Sequence, residues 1–170
     1  MPLVPAIRRA VPADATAVAD FHTLCWREAY AGLVGNNYLY SVAVEGRRLA
    51  RWQERLSGTR AVWLAEDGEC VVGAVSTDGT RVPDRPVPVE LTSLYLRSSY
   101  CGTGLADRLL SAAVGPDPAF LWVFAGNLRA RRFYARHGFV SDGSEKRDPD
   151  TDLVEVRMVR RSRQITPDRH

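Results

Sequence analysis

The predicted elements make this chain a mixed α/β fold, with one twisted mixed sheet of about six or seven strands flanked by about four helices. Two junctions carry the prediction. An extended apolar run from Val89 ends in Tyr100-Cys101-Gly102-Thr103-Gly104-Leu105-Ala106 and opens directly into a helical pattern, which reads as a strand, a glycine turn and a helix N-terminus. Downstream, Phe120-Leu121-Trp122-Val123-Phe124 reads as a short buried strand. After Ala125-Gly126 the N-cap residue Asn127 opens a helix on which Ala130, Phe133, Tyr134 and His137 share a face. Gly138 follows where a helix end favours a left-handed residue.

The other elements can be justified in chain order. Ala6-Ile7-Arg8-Arg9 is strand-like. Ala17, Val18, Phe21, Leu24 and Cys25 recur at helical period, in a helix that runs on through Trp26 and Tyr30 and stops at Gly32. Residues 36–40 read as one helical turn or two, and Leu49, Trp52 and Leu56 mark a further helical stripe ending at Gly58. Residues 61–65 and 70–75 are strands around a Glu66-Asp67-Gly68-Glu69 turn, and a proline-rich loop, 81–88, leads into the Val89 strand. Val140-Ser141 and residues 153–159 form a terminal strand pair around a polar loop, 142–152.

Composition narrows the class. With 170 residues, 45% of them apolar, the chain can bury one core; residues 1–160 are read as a single domain and 161–170 as a basic, disordered tail. No apolar run is long enough to span a membrane and no signal peptide is legible, so a cytoplasmic protein without a membrane partner is expected. Cys25, Cys70 and Cys101 are odd in number and widely spaced, which predicts free thiols and no zinc site. His22 and His137 lack partners at metal spacing and read as ordinary packed or half-exposed side chains. The net charge of +3 comes with Arg157, Arg160, Arg161, Arg163 and Arg169 near the end. That run has no interleaved aromatics and no binding module, so a frayed tail is the expectation and a nucleic-acid-binding protein the alternative.

The glycine turn aims unpaired amides and a helix dipole at one spot, where an anion, phosphate above all, would sit. By itself such a turn is equally well only a turn. Together the two junctions resemble the GNAT superfamily of acyl-CoA-dependent N-acyltransferases, and the likeness runs over nearly the whole chain. The family's Gln/Arg-x-x-Gly-x-Gly/Ala turn maps onto Cys101, Gly104 and Ala106, with Cys101 in place of the usual Gln or Arg. The family's Asn-x-x-Ala-x-x-Phe-Tyr run ending in Gly-Phe is matched throughout by Asn127, Ala130, Phe133, Tyr134, Gly138 and Phe139.

The resemblance implies acetyl-CoA as co-substrate, no metal, and a sheet that splays between the Val89 strand and the Phe120 strand. The pantetheine arm would lie in that gap against the backbone of Leu94, Tyr95 and Leu96, and the diphosphate on Cys101, Gly102, Thr103, Gly104, Leu105 and Ala106. Asn127 would contact the arm, although helix capping alone explains an Asn there. Tyr134 would protonate the departing sulfur, against the plainer reading of a core tyrosine. Glu90, eleven residues before Cys101, would be the base, against a strand-entry carboxylate that only solvates. Trp26, Tyr30 and Tyr38 would line an acceptor pocket or else pack in the core. Glu28, Asp148, Asp150 and Asp152 would suit a cationic acceptor or a solvated surface.

Cys101 reads either as a reactive thiol near a helix N-terminus or as a small loop residue. The expected reaction is transfer of acetyl to a primary amine of a small molecule or peptide by direct attack. A non-catalytic acyl-CoA sensor of the same fold is the alternative, and a homodimer is a further expectation with no surface legible for it.

Overall fold

The computed structural model describes residues 4–58, 60–79 and 83–162. Most of the basic tail, Arg81 and Val82 of the proline-rich loop therefore lie outside the described residues. The strands are β1 (Ala6–Arg9), β2 (Ala61–Asp67), β3 (Cys70–Asp78), β4 (Val89–Leu96), β5 (Ala119–Phe124), β6 (Val140–Arg147) and β7 (Val154–Arg160). The helices are α1 (Ala15–Tyr30), α2 (Asn36–Leu39), α3 (Val42–Ser57), α4 (Leu105–Val114) and α5 (Leu128–Arg136). All seven strands join one sheet in the order β1-β2-β3-β4-β5-β7-β6. Every neighbouring pair is antiparallel except β4 and β5, which are parallel and connected through α4.

The sheet parts where the sequence predicts. β4 and β5 keep only the pairs Val89↔Ala119 and Glu90↔Phe120, then diverge. The two faces are covered separately. One core gathers Leu105, Leu109 and Leu110 of α4 with Leu121, Tyr134 and Phe139. The other gathers Val18, Phe21 and Cys25 of α1 with Trp52 of α3 and Val62, Leu64 and Ala74 of the sheet. Gly73 lies in β3 beneath α4, where an added Cβ would come within 2.7 Å of Leu109 Cδ1 and 3.3 Å of Ala65 Cβ. The missing side chain lets α4 sit close on the sheet.

Several boundaries differ from the sequence reading, among them β3, which runs to Asp78 rather than residue 75. β2 continues through Asp67, leaving Gly68 (φ +60°) and Glu69 as the tight hairpin turn. The terminal pair is also longer, because β6 takes in residues 142–147 that read as loop. This edge strand is almost wholly exposed and carries no apolar alternation, so hydropathy gives it no signal. It is held by the ladder to β7 around an irregularity between Ser141 and Glu145, where Asp142 Oδ2 accepts from Arg157 Nε at 2.8 Å.

His22 on α1 is 9% exposed, and its Nδ1 accepts from Trp52 Nε1 of α3 at 3.0 Å. An indole nitrogen only donates, so the ring proton sits on Nε2, which has no partner among the described residues. Burial first, and then Arg48, Arg55 and Arg51, hold the imidazole pKa well below its ordinary value.

Two outcomes follow from this packing. Gly73→Val overpacks the α4 interface and lowers unfolding free energy by about 1–3 kcal/mol, read as a lower urea midpoint. Because the unfolded chain protonates His22 at about pH 6.5 and the folded protein does not, the stability due to neutral His22 is full above that pH. It falls as pH drops below it, by up to about 1.4 kcal/mol per unit. Urea unfolding between about pH 6.5 and 5 should show this loss in the native protein and a smaller one in His22→Gln.

Candidate active site

The parting of β4 and β5 leaves one edge of β4 without a partner strand. Arg97 N donates to Val72 O at 3.0 Å, so alternation turns the Tyr95 amide and carbonyl toward Ala74 of β3. The polar backbone groups of Leu94 and Leu96 then face the gap. Of the three backbone partners expected from sequence, these two have free edges and Tyr95 is engaged with β3.

Beyond β4 the glycine turn takes the expected form. Gly102 (φ +80°) and Gly104 (φ +83°) adopt left-handed conformations, and nothing lies within 4 Å of the position where either would carry a Cβ. Cys101 N and Thr103 N bond within the turn, at 3.1 Å to Ser98 O and 3.4 Å to Tyr100 O. The amides of Gly102, Gly104, Leu105, Ala106 and Asp107 have no acceptor among the described residues. Donors without partners beside open space fit the diphosphate of CoA. Cys101 is half-buried, its Sγ 3.8 Å from Arg97 O. Glu28 of α1 ties into this region, accepting from Arg97 Nε at 2.9 Å and Ser98 N at 2.7 Å. That carboxylate is already engaged.

The gap itself opens into a cavity of about 250 Å³. Leu94 and Tyr95 line it from β4, Trp122 and Phe124 from β5, Asn127, Ala130 and Tyr134 from α5, and Trp26 and Tyr30 from α1. Tyr134 is 8% exposed, and burial pushes its phenol pKa up, so it is held protonated. Asn127 caps α5 by accepting from Ala130 N at 3.1 Å. Trp26 packs against Tyr30 at 4.6 Å and Tyr38 at 5.7 Å between ring centroids, and Tyr30 meets Phe124 edge-on at 5.3 Å. The expected acceptor aromatics therefore share one wall of the cavity that holds Tyr134.

Glu90 lies elsewhere. It sits at the closed end of the gap, does not line the cavity, and accepts from Arg85 Nη2 at 3.1 Å. Three carboxylates line the cavity: Asp148 and Asp150, two of those expected to suit a cationic acceptor, and Glu155 on β7, opposite Phe124, with Lys146 Nζ at 3.4 Å. Burial pushes the Glu155 carboxyl pKa up, against the smaller opposing effect of Lys146. Sequence reading missed Glu155 because it falls within a polar-apolar alternation that looks like any half-exposed strand.

Four arginines of α3, Arg47, Arg48, Arg51 and Arg55, also line the cavity and also escaped that reading. One signal was present: Arg48 falls midway between Val44 and Trp52 on the buried stripe of an amphipathic helix, where an arginine is out of place. Among the described residues no group of His, Cys, Asp and Glu could hold a metal, and no helix is long and apolar enough to cross a membrane.

Comparison with known proteins agrees with this geometry. The chain is 29% identical over 145 residues to a probable N-acetyltransferase of Mycobacterium tuberculosis, covering 81% of this chain and 80% of that protein. Its fold matches the PaiA N-acetyltransferase of Thermoplasma acidophilum in complex with coenzyme A at a TM-score of 0.65 and 18% identity, over 94% of this chain and 99% of that one. It matches YncA, a putative acetyltransferase of Salmonella typhimurium with acetyl-CoA, at 0.64 and 20% identity, over 92% of this chain and 93% of that one. The model of the acetyltransferase (GNAT) family matches residues 19–139, which takes in most of the first helix, the parted strands, the glycine turn and the Tyr134 helix, and the chain belongs to that family.

Proposed function

We propose that this protein is an acetyl-CoA-dependent N-acetyltransferase acting on a primary amine. The observation that carries the reading is the buried, protonated Tyr134 phenol on a cavity formed where β4 and β5 part. An acyl-CoA sensor would need the glycine turn and the strand edge but no acid beside the gap.

The residues divide the work. The turn from Cys101 to Ala106 and the free edge at Leu94 and Leu96 would hold the co-substrate, which when bound supplies the acetyl group as an activated thioester. Tyr134 donates its phenolic proton to the sulfur as the carbon–sulfur bond breaks. The acceptor amine must reach the carbonyl carbon uncharged, and of the three cavity carboxylates Glu155, whose pKa burial raises, would take its proton, directly or through water. Its raised pKa suits that task better than an ion-paired Glu90. Trp26, Tyr30 and Tyr38 form the aromatic side of the acceptor pocket and exclude water there.

Mass spectrometry after incubation with acetyl-CoA and pooled amino acids, amines and short peptides tests the reading directly, and an acetyl-sized increment on an acceptor is expected. Tyr134→Phe should lower kcat by roughly two orders of magnitude with acetyl-CoA affinity little changed; an equal loss of affinity would make Tyr134 structural. Glu155→Gln should lower kcat/KM about 10- to 100-fold at neutral pH, with the defect shrinking as pH rises and free amine accumulates. Glu90→Gln should show no such pH-dependent defect, and the opposite pattern would return the base role to Glu90.

A further inference from the structure

Four arginines, Arg47, Arg48, Arg51 and Arg55, line the cavity against three carboxylates, Asp148, Asp150 and Glu155, and Glu155 is paired with Lys146 rather than with any of them. Arg48 is 7% exposed and makes one hydrogen bond, from Nη1 to Thr23 Oγ1 at 2.8 Å, with its guanidinium 5.4 Å from the Trp26 ring centre. No carboxylate lies within ion-pair distance of it among the described residues, since its neighbour Glu45 is bound to Arg27. Arg55 stacks on Trp52 at 5.0 Å and likewise has no ion-pair partner among the described residues. Arg51 reaches Asp150 at 3.5 Å, and Asp148 spends its Oδ1 on Asp150 N, Thr151 N and Thr151 Oγ1. A buried guanidinium with donors to spare is unfavourable alone and is stabilised by an oxyanion that enters the cavity. The co-substrate's diphosphate is not that anion, because no residue of the glycine turn lines this cavity.

We infer that the acceptor is an amphoteric amine, a primary amine that also carries a carboxylate, as an α-amino acid does. This rests on the acetyltransferase reading above and names its substrate class. Arg48, with Arg51 beside it, binds the carboxylate, while Glu155 receives the amine at the Tyr134 side and the aromatics of α1 enclose the part between. The carboxylate gains a planar, charge-assisted fork at Arg48, and the buried charge gains its counterion. A polyamine would meet the arginine wall with like charge.

The test uses matched pairs of acceptors that differ only in the carboxylate: phenylalanine with phenethylamine, tryptophan with tryptamine, leucine with isoamylamine, and spermidine as a purely cationic control. Release of CoA thiol from the full-length protein with acetyl-CoA gives kcat/KM for each. The carboxylated member of at least one pair should exceed its decarboxylated partner by roughly 100-fold or more, since a site built for a polar group rejects the analogue that lacks it.

In Arg48→Gln that ratio should collapse toward unity through loss on the carboxylated member alone. Arg51→Gln, at an exposed position that does not threaten folding, should lower the ratio by several-fold. Preference for the decarboxylated amines or for spermidine overturns the inference and leaves the acetyltransferase reading standing. An equal loss on both members of a pair in Arg48→Gln overturns it as well, by making Arg48 structural. Silence on every acceptor of this set, with acetyl-CoA bound, overturns the inference and leaves the acetyltransferase reading to the pooled assay above.

Discussion

Between β4 and β5 the protein gives up a strand ladder after two register pairs, and most of what the molecule can do depends on that loss. Each strand is paired on its other side, β4 with β3 around one register shift and β5 with β7 along its length, so the two halves of the sheet are sound by themselves. What joins them past Glu90 is side-chain packing. Trp26 and Tyr30 of α1 reach across to Phe124 of β5, and Tyr134 enters the core beneath α4. Backbone groups at Leu94 and Leu96 that would be satisfied in a continuous sheet face the gap instead. A free strand edge is usually a hazard; here it faces the cavity.

The two ends of the site solve different electrostatic problems with different materials. At the glycine turn the positive potential is made of backbone amides and a helix dipole, which needs no particular side chain. In the cavity it is made of guanidinium groups fixed on α3, with Glu155 the partly buried acid on β7. Backbone donors depend little on which side chains stand in the turn, whereas a cluster of guanidinium groups depends on them entirely. The same buried setting that keeps Tyr134 protonated keeps His22 neutral, because both sit where a net charge loses its water.

How much of this could be read from the chain depends on the range of each cause. The strand-turn-helix at Gly104, the capped helix from Asn127 and the stop at Gly138 are local, set by the conformational freedom of glycine and by a side-chain oxygen reaching an amide three residues on. They were legible, and so was membership of the family. Residues 142–147 were not legible as a strand, because the ladder to β7 holds them and their own side chains bury little. Glu90 shows what spacing alone does not reveal: the register with Phe120 puts it at the closed end of the gap, under Arg85.

The sequence by itself determined the order of elements, the anion turn, the tyrosine helix and the aromatic run of α1, since each is encoded in residues close together along the chain. Only the tertiary structure decided which charges meet. Arg48 and Glu155 are far apart in sequence and belong to elements that never pair, yet they line one cavity because the sheet parts between the helices that carry its walls. Hydropathy and spacing describe a helix or a strand one at a time; the balance of charge in a cavity is a property of several packed together.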